Sequence, residues 1–214
     1  MKGKFYYNLR PEFERGALLE SEVLPNALEQ LMQWVDEAVA LPELMPTAMT
    51  LATSTFEGKP SARIVLLERI DEAGIYFFTN YESKKGKQLL QHPQAAAVLF
   101  WPQLERQVRI EGFVQRADDE LNDEYFTNQS VDHQINAWSF PQSQVVSSRK
   151  YLEMLVNDNK EDFLDREIPR PTNWGGYCLS PQLVEFWQGR PNHMHDRLQY
   201  TLFNGEWQIE RLAP

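Results

Sequence analysis

The sequence predicts a mainly β protein with helices, of the α+β class, in which an antiparallel, Greek-key-like sheet closes or splits into a barrel. Three observations carry that expectation. Short apolar segments recur between turn residues, helical periodicity is confined to a few stretches, and two or three of those stretches gather between residues 118 and 155 instead of alternating with strands.

Residues 1–24 are polar and lack strong periodicity, so they read as an N-terminal arm that orders against something else, ahead of a single domain over 25–214. From Asn26 to Ala40 the positions Leu28, Leu31, Val35 and Val39 recur at helical spacing, with Pro25-Asn26 as start signal. Strands follow over 48–53, over 61–70 after the Glu57-Gly58 turn, and over 74–79 after Asp71-Glu72, which together read as an antiparallel meander. Segments 95–101 and 106–115 supply two more strands, and two or three helices occupy 118–155. After a proline-containing loop over 168–173, strands return at 176–180, 184–188, 198–203 and 207–212.

Acidic residues outnumber basic ones 31 to 21, and the resulting net charge of −10 repels nucleic acid and anionic membrane over most of the surface. An anionic ligand must therefore be held by a local cationic cluster. Cys178 has no partner for an intramolecular disulfide, and neither a signal-like nor a membrane-spanning apolar run is present, which leads to the expectation of a cytoplasmic protein.

Three places break local rules. Ser83-Lys84-Lys85-Gly86-Lys87 puts lysines into the first turn of the run Gln88-Leu89-Leu90, where they oppose the helix dipole. A phosphate at that helix start would explain them, although a solvated basic face is equally common. Arg63 opens the apolar strand Arg63-Ile64-Val65-Leu66-Leu67, and a guanidinium there suits bidentate phosphate contact or, more often, solvent. His193-Met194-His195-Asp196-Arg197 follows the aromatic strand Glu185-Phe186-Trp187-Gln188-Gly189; paired histidines in a loop are candidates for acid–base work, and more often plain surface residues.

These strings, with Pro46-Thr47-Ala48-Met49, Phe78-Thr79-Asn80, Leu104-Glu105-Arg106-Gln107-Val108, Trp174-Gly175-Gly176 and Arg211-Leu212-Ala213-Pro214, resemble in order the pyridoxamine 5′-phosphate oxidases. The resemblance implies an FMN-binding split β-barrel, a homodimer with two flavin sites at its interface, and oxidation of pyridoxine or pyridoxamine phosphate to pyridoxal phosphate. Carried over residue by residue, it implies FMN binding by Arg63, Ile64, Val65, Leu66, Phe78, Thr79, Lys84, Lys85, Gln107, Gln142, Ser143, Trp187 and Arg197, with Lys84 standing where an arginine is usual.

The substrate positions depart from the family. Relatives grip the vitamer phosphate with a lysine, a tyrosine, an arginine and a serine; here Tyr125 remains, while Glu68, Gln129 and His133 replace the other three. The arm keeps Arg10 but carries Phe13 where a tyrosine is usual. In the late loop His193 stands for an arginine, with His195 in its usual place. Lysine to glutamate shifts the local charge by two units and arginine to glutamine by one more. At ~4 Å and an effective dielectric near 20, each unit pair is worth roughly 4 kcal/mol before screening.

The sequence thus predicts an FMN-dependent oxidoreductase acting on a small non-phosphorylated or cationic substrate, with Glu68, Tyr125, Gln129, His133, His193, His195 and Arg10 facing it and His195 and His193 as acid–base candidates. Two alternatives stand beside this: an authentic vitamer phosphate oxidase with a rearranged phosphate grip, and a non-catalytic flavin-binding protein. Glu68, His133, His193 and His195 also form a possible divalent-metal set.

Overall fold

The structure is a computed structural model and describes residues 12–42 and 45–214. Its elements run α1 (Ala27–Val39), β1 (Ala48–Ser54), β2 (Pro60–Leu66), β3 (Arg69–Asp71), β4 (Gly74–Asn80), α2 (Lys84–Gln91), β5 (Gln94–Trp101) and β6 (Arg106–Arg116). Then follow α3 (Asp119–Thr127), α4 (Val131–Ser139), α5 (Arg149–Asp162), β7 (Trp174–Gln188), β8 (Asp196–Phe203) and β9 (Glu206–Arg211). Strand neighbours follow the order β2-β1-β5-β6-β7-β4-β3, with β8 and β9 continuing from β7. The chain divides into two compact units, Thr47–Ala97 with Glu111–Pro181, and Met1–Pro46 with Val98–Ile110 and Gln182–Pro214.

In the first of these units β1 pairs antiparallel with β2 from Ala48↔Leu66 to Ser54↔Pro60, and β4 pairs with β7 from Ile75↔Leu179 to Asn80↔Trp174. Alternation along β1 buries Met49, Leu51 and Thr53, while β2 leaves Ile64 and Leu66 exposed. The stretch expected as one strand over 61–70 is broken at Leu67–Glu68. Leu67 N–H still donates to Thr47 O at 2.8 Å, but Glu68 N–H donates to Tyr76 O at 2.9 Å, so the backbone changes partner there and Glu68 sits at the crossover. Three helices occupy the expected region, and the last runs on to Asp162. Asp118, Ser130 and Ser148 cap them, each side chain accepting a backbone N–H of the first turn.

The segments expected as separate strands at 176–180 and 184–188 form the single 15-residue strand β7. Pro181 has no N–H to give to a ladder, yet it lies between the run of β7 that pairs with β4 and the run that pairs with β8, and so interrupts neither. Gly112 admits the close approach of Ser180 O, a space that a Cβ would fill.

In the second unit Asn26 caps α1, its Oδ1 accepting from Leu28 N at 2.8 Å and Glu29 N at 3.3 Å. The helix buries Leu28, Leu31, Trp34, Val35 and Ala38. Val39, expected on that apolar face, is 55% exposed because it is the last residue of the helix, beyond the packing of the previous turn. Trp34 meets the edge of Phe186 at 5.0 Å, and Phe186 meets Tyr200 at 5.2 Å. Residues 12–24 dock within this unit: Leu18 is buried, Tyr200 Oη donates to Leu24 O at 2.8 Å, and Arg211 Nη2 donates to Leu18 O at 2.8 Å.

Helix α2 is positioned by close backbone contact. Ser83 Oγ caps it by accepting from Gly86 N at 3.2 Å, and a Cβ on Gly86 would collide with the Tyr81 carbonyl. Gly86→Ala is therefore expected to displace the start of α2 and cost about 1–3 kcal/mol through overpacking. Thermal denaturation of the variant beside the wild type, showing an unchanged midpoint, would refute that assignment.

Candidate functional site

The unit carrying all four helices of the 84–162 region contains a cavity of about 450 Å³. Strand β2 contributes Arg63, Ile64, Val65 and Leu66; the crossover contributes Glu68; β4 contributes Phe78, Thr79 and Asn80; α2 contributes Lys85. Helices α3 and α4 bring Tyr125, Phe126, His133, Asn136 and Ala137, and the connections bring Gln129, Phe140 and Gln142.

Two cations line it without a carboxylate partner among the described residues. Arg63 Nη1 donates to Leu51 O at 2.9 Å and Thr53 Oγ1 at 2.8 Å, both on the paired strand β1. Thr53 Oγ1 in turn donates to Gln88 Oε1 at 2.7 Å. Lys85 is buried, and its Nζ donates to Thr79 Oγ1 at 2.7 Å, Gln142 Oε1 at 2.9 Å and, more weakly, Ser83 Oγ at 3.4 Å. Burial first, and then the charge of Arg63, pulls the Lys85 ammonium down to about 8, and burial also lowers Arg63. Only neutral oxygens hold these charges, so the site is short of one negative group and suits an anion.

At the Glu68 side the cavity is walled by stacked aromatics. Phe78 and Tyr125 lie face to face with centroids 3.6 Å apart, and Trp174 stacks beyond Phe78 at 5.7 Å. Burial first, and then the nearby Glu68 carboxylate, raises the Tyr125 phenol well above its ordinary range. Gln129 Oε1 meets His133 Nδ1 at 3.3 Å. Arg69, the nearest candidate for a substitute cation, is engaged by Asp71 at 2.9 Å.

The other unit has its own aromatic and imidazole group. Phe13 meets Trp187 edge-on at 5.5 Å and His195 at 5.7 Å, while Trp187 and His195 are 4.8 Å apart. Arg190 N–H donates to His195 Nδ1 at 3.1 Å, which leaves the proton of a neutral imidazole on Nε2. Burial, then the charge of His193, lowers His195. Arg197 is held by the buried Glu185 at 2.8 Å and donates to Ala213 O at 2.8 Å. Glu185 also takes Arg109 at 3.0 Å.

Of the residues expected at the site, Arg63, Ile64, Val65, Leu66, Glu68, Phe78, Thr79, Lys85, Tyr125, Gln129, His133 and Gln142 line one cavity. Lys84, exposed at the start of α2, and Ser143, at φ 69° in the turn after Gln142, belong to the same unit but do not line it. Gln107, Trp187, His193, His195 and Arg197 belong to the other unit, and Arg10 lies outside the described residues. Among the described residues no group of three or more His, Cys, Asp or Glu side chains is arranged to hold a metal ion. Trp174, Phe126, Asn136 and Phe140 also line the cavity and were not anticipated, although Trp174 heads one of the strings that carry the resemblance.

A family model described as pyridoxamine 5′-phosphate oxidase matches residues 35–158, and one described as the pyridoxine 5′-phosphate oxidase C-terminal dimerisation region matches 174–214. The protein named pyridoxine/pyridoxamine 5′-phosphate oxidase from Cyanothece sp. is 48% identical over 207 residues, covering 97% of each chain. Its namesake from Salinibacter ruber is 50% identical over 210 residues, covering 97% of this chain and 98% of its own. Among solved structures, PhzG from Burkholderia lata, in complex with tetrahydrophenazine-1-carboxylic acid, has a TM-score of 0.87 at 27% identity, covering 92% of this chain and 98% of its own. A pyridoxamine 5′-phosphate oxidase-related, FMN binding protein from Nostoc punctiforme has a TM-score of 0.67 at 20% identity, covering 86% and 95%. The fold class is thus the mainly β, split-barrel class expected from the sequence. No helix among the described residues is long and apolar enough to cross a membrane. By the match across most of its length and by near-half identity to full-length relatives, this chain belongs to the pyridoxamine 5′-phosphate oxidase family.

Proposed function

We propose that the chain is an FMN-dependent oxidase that works as a homodimer on a pyridoxine- or pyridoxamine-like substrate. The observation that carries the cofactor assignment is the pair Arg63 and Lys85, two partly desolvated cations facing a cavity with only neutral oxygens as partners. A phosphate monoester supplies the missing negative charge, and the start of α2 adds backbone polarity of the right sign. Thr79 and Gln142 hold Lys85 and offer hydroxyl and amide groups to a ribityl chain. Following the family pattern, Lys84, Gln107, Ser143 and Arg197 add polar contacts, Trp187 a packing wall, and Ile64, Val65, Leu66 and Phe78 an apolar and backbone edge. When bound, FMN supplies an acceptor for the hydride that leaves the substrate carbon, and dioxygen restores it with formation of peroxide. His195, donating from Nε2, and His193 are the groups assigned to face the substrate. The dimer is supported by the matched dimerisation region and by the exposed apolar side chains Ile64, Leu66 and Phe113.

Two readings of the substrate are each favoured by an observation. The shared name of relatives at 44–50% identity favours pyridoxine and pyridoxamine 5′-phosphate, and on the comparisons this reading stands ahead of the non-phosphorylated substrate put first from the sequence. What supports the non-phosphorylated reading is Glu68 in the cavity, together with a structural relative seen with a ligand that has no phosphate.

The purified protein is expected to carry the visible absorption of oxidised flavin and to lose it on anaerobic addition of an oxidisable vitamer; a colourless protein that fails to take up added FMN would overturn the proposal. Replacing Lys85 with Met, or Arg63 with Ala, removes charge-assisted bonds of about 1.5–3 kcal/mol each, so FMN titration of the apoprotein should show roughly 10- to 100-fold weaker binding.

Lys85 also sets a pH dependence. Its folded value of about 8 lies below the unfolded one of 10.5, so without an anion the folded state releases its proton first, and the associated destabilisation is full below about 8 and relieved as pH rises from there toward 10.5. Anion binding needs the ammonium, so FMN affinity should fall as pH rises above about 8, and in Lys85→Met it should not. Equal pH slopes for the two proteins would exclude Lys85 as the titrating group.

A further inference from the structure

Helix α2 reaches the cations of the cavity twice. Lys85 lines the cavity itself, and Gln88, three residues on and so on the same helix face, lies buried against the paired strands β1 and β2. Its amide spans the cross-strand pair Thr53↔Ser61: Oε1 accepts from Thr53 Oγ1 at 2.7 Å, and Nε2 donates to Ser61 Oγ at 3.4 Å. Arg63, two residues along β2, donates from Nη1 to Thr53 Oγ1 at 2.8 Å and to the carbonyl of its cross-strand partner Leu51 at 2.9 Å. A guanidinium only donates, so the Thr53 oxygen must accept there, and its single hydrogen is left for Gln88. That hydrogen in turn requires the amide oxygen, not the nitrogen, on the Thr53 side. The direction of the chain from Arg63 through Thr53 to Gln88 is therefore set by chemistry, with a neutral amide as its last acceptor. Without that acceptor the buried hydroxyl would turn its hydrogen elsewhere, and the lone pair facing Arg63 would turn with it.

We infer, on the reading of this end of the cavity as the seat of the FMN phosphate, that Gln88 is a positioning residue. Through Thr53 it fixes where Arg63 stands, so one helix sets both cations, Lys85 directly and Arg63 at one remove. Neither Gln88 nor Thr53 lines the cavity, and their effect on a ligand passes through the guanidinium. The amide matters for its charge as well as its reach. A carboxylate at position 88 would also accept the Thr53 hydrogen, but it would put a negative charge one hydroxyl away from Arg63 and meet part of the demand that an anion otherwise meets. A neutral acceptor orients the guanidinium and leaves its charge for the ligand.

The phosphate's share of binding is read as the ratio of the riboflavin to the FMN dissociation constant, each flavin being titrated into the full-length apoprotein. Loss of packing alone would move both flavins together and leave the ratio unchanged. In Gln88→Met and in Thr53→Val the ratio should fall about 5- to 10-fold, and Thr53→Ser, which returns the hydroxyl, should recover most of it. Because the two residues act in series, the double variant Thr53→Val/Gln88→Met should fall no further than Thr53→Val alone. Gln88→Glu, the variant nearest in shape, should lower the ratio as well. A wild-type ratio in either Gln88→Met or Thr53→Val, or losses that multiply in the double variant, overturns the inference while the FMN reading stands. Should Gln88→Met fail to fold, Gln88→Glu carries the test, and an unchanged ratio there overturns the inference equally. Wild-type protein that binds riboflavin as tightly as FMN overturns the phosphate reading itself, and the role of Gln88 with it.

Discussion

The site is organised around positive charge that the protein itself does not neutralise. Arg63 spends its hydrogen bonds on a carbonyl and a hydroxyl, and Lys85 spends its own on two hydroxyls and an amide oxygen. Neutral partners satisfy the donors geometrically while leaving the field uncancelled, which is the condition under which a bound anion gains most. The register of β1 with β2, the Ser83 cap and the Thr53–Gln88 bond all serve to keep these two cations on one cavity.

The opposite end works by the reverse arrangement. There the Glu68 carboxylate lines the cavity beside Tyr125, whose ring stacks face to face on Phe78. Since the crossover is fixed by the hydrogen bonds of Leu67 and Glu68 to two different strands, the side chain at position 68 is presented by backbone geometry and not by a flexible loop.

Much of this was legible in the residues. Helix phase decides among the three lysines: Lys84 and Lys87 face out, whereas Lys85 is buried and lines the cavity, so the run that breaks the dipole rule is part basic surface and part cavity wall. Arg63, at the head of an apolar strand, lines the same cavity. The crossover inside 61–70 was hidden because a strand that changes partner keeps the composition of one that does not, and the unity of β7 was hidden because Pro181 reads locally as a breaker. The support of Arg63 by Thr53, and the place of Trp174 beside Phe78, join residues distant in sequence and leave no local trace. Division of the fold into two units likewise depends on three strands whose halves pack in different surroundings.

The loop from β7 to β8 holds Asn192 and His193 in succession at φ 55° and 60°. For side chains other than glycine this region is costly, and Asn bears it best through its short polar group. The loop that presents His195 is therefore closed to valine, isoleucine and threonine at both places. Substitution along this stretch is channelled into a narrow set of residue types by backbone shape, before any demand of chemistry applies.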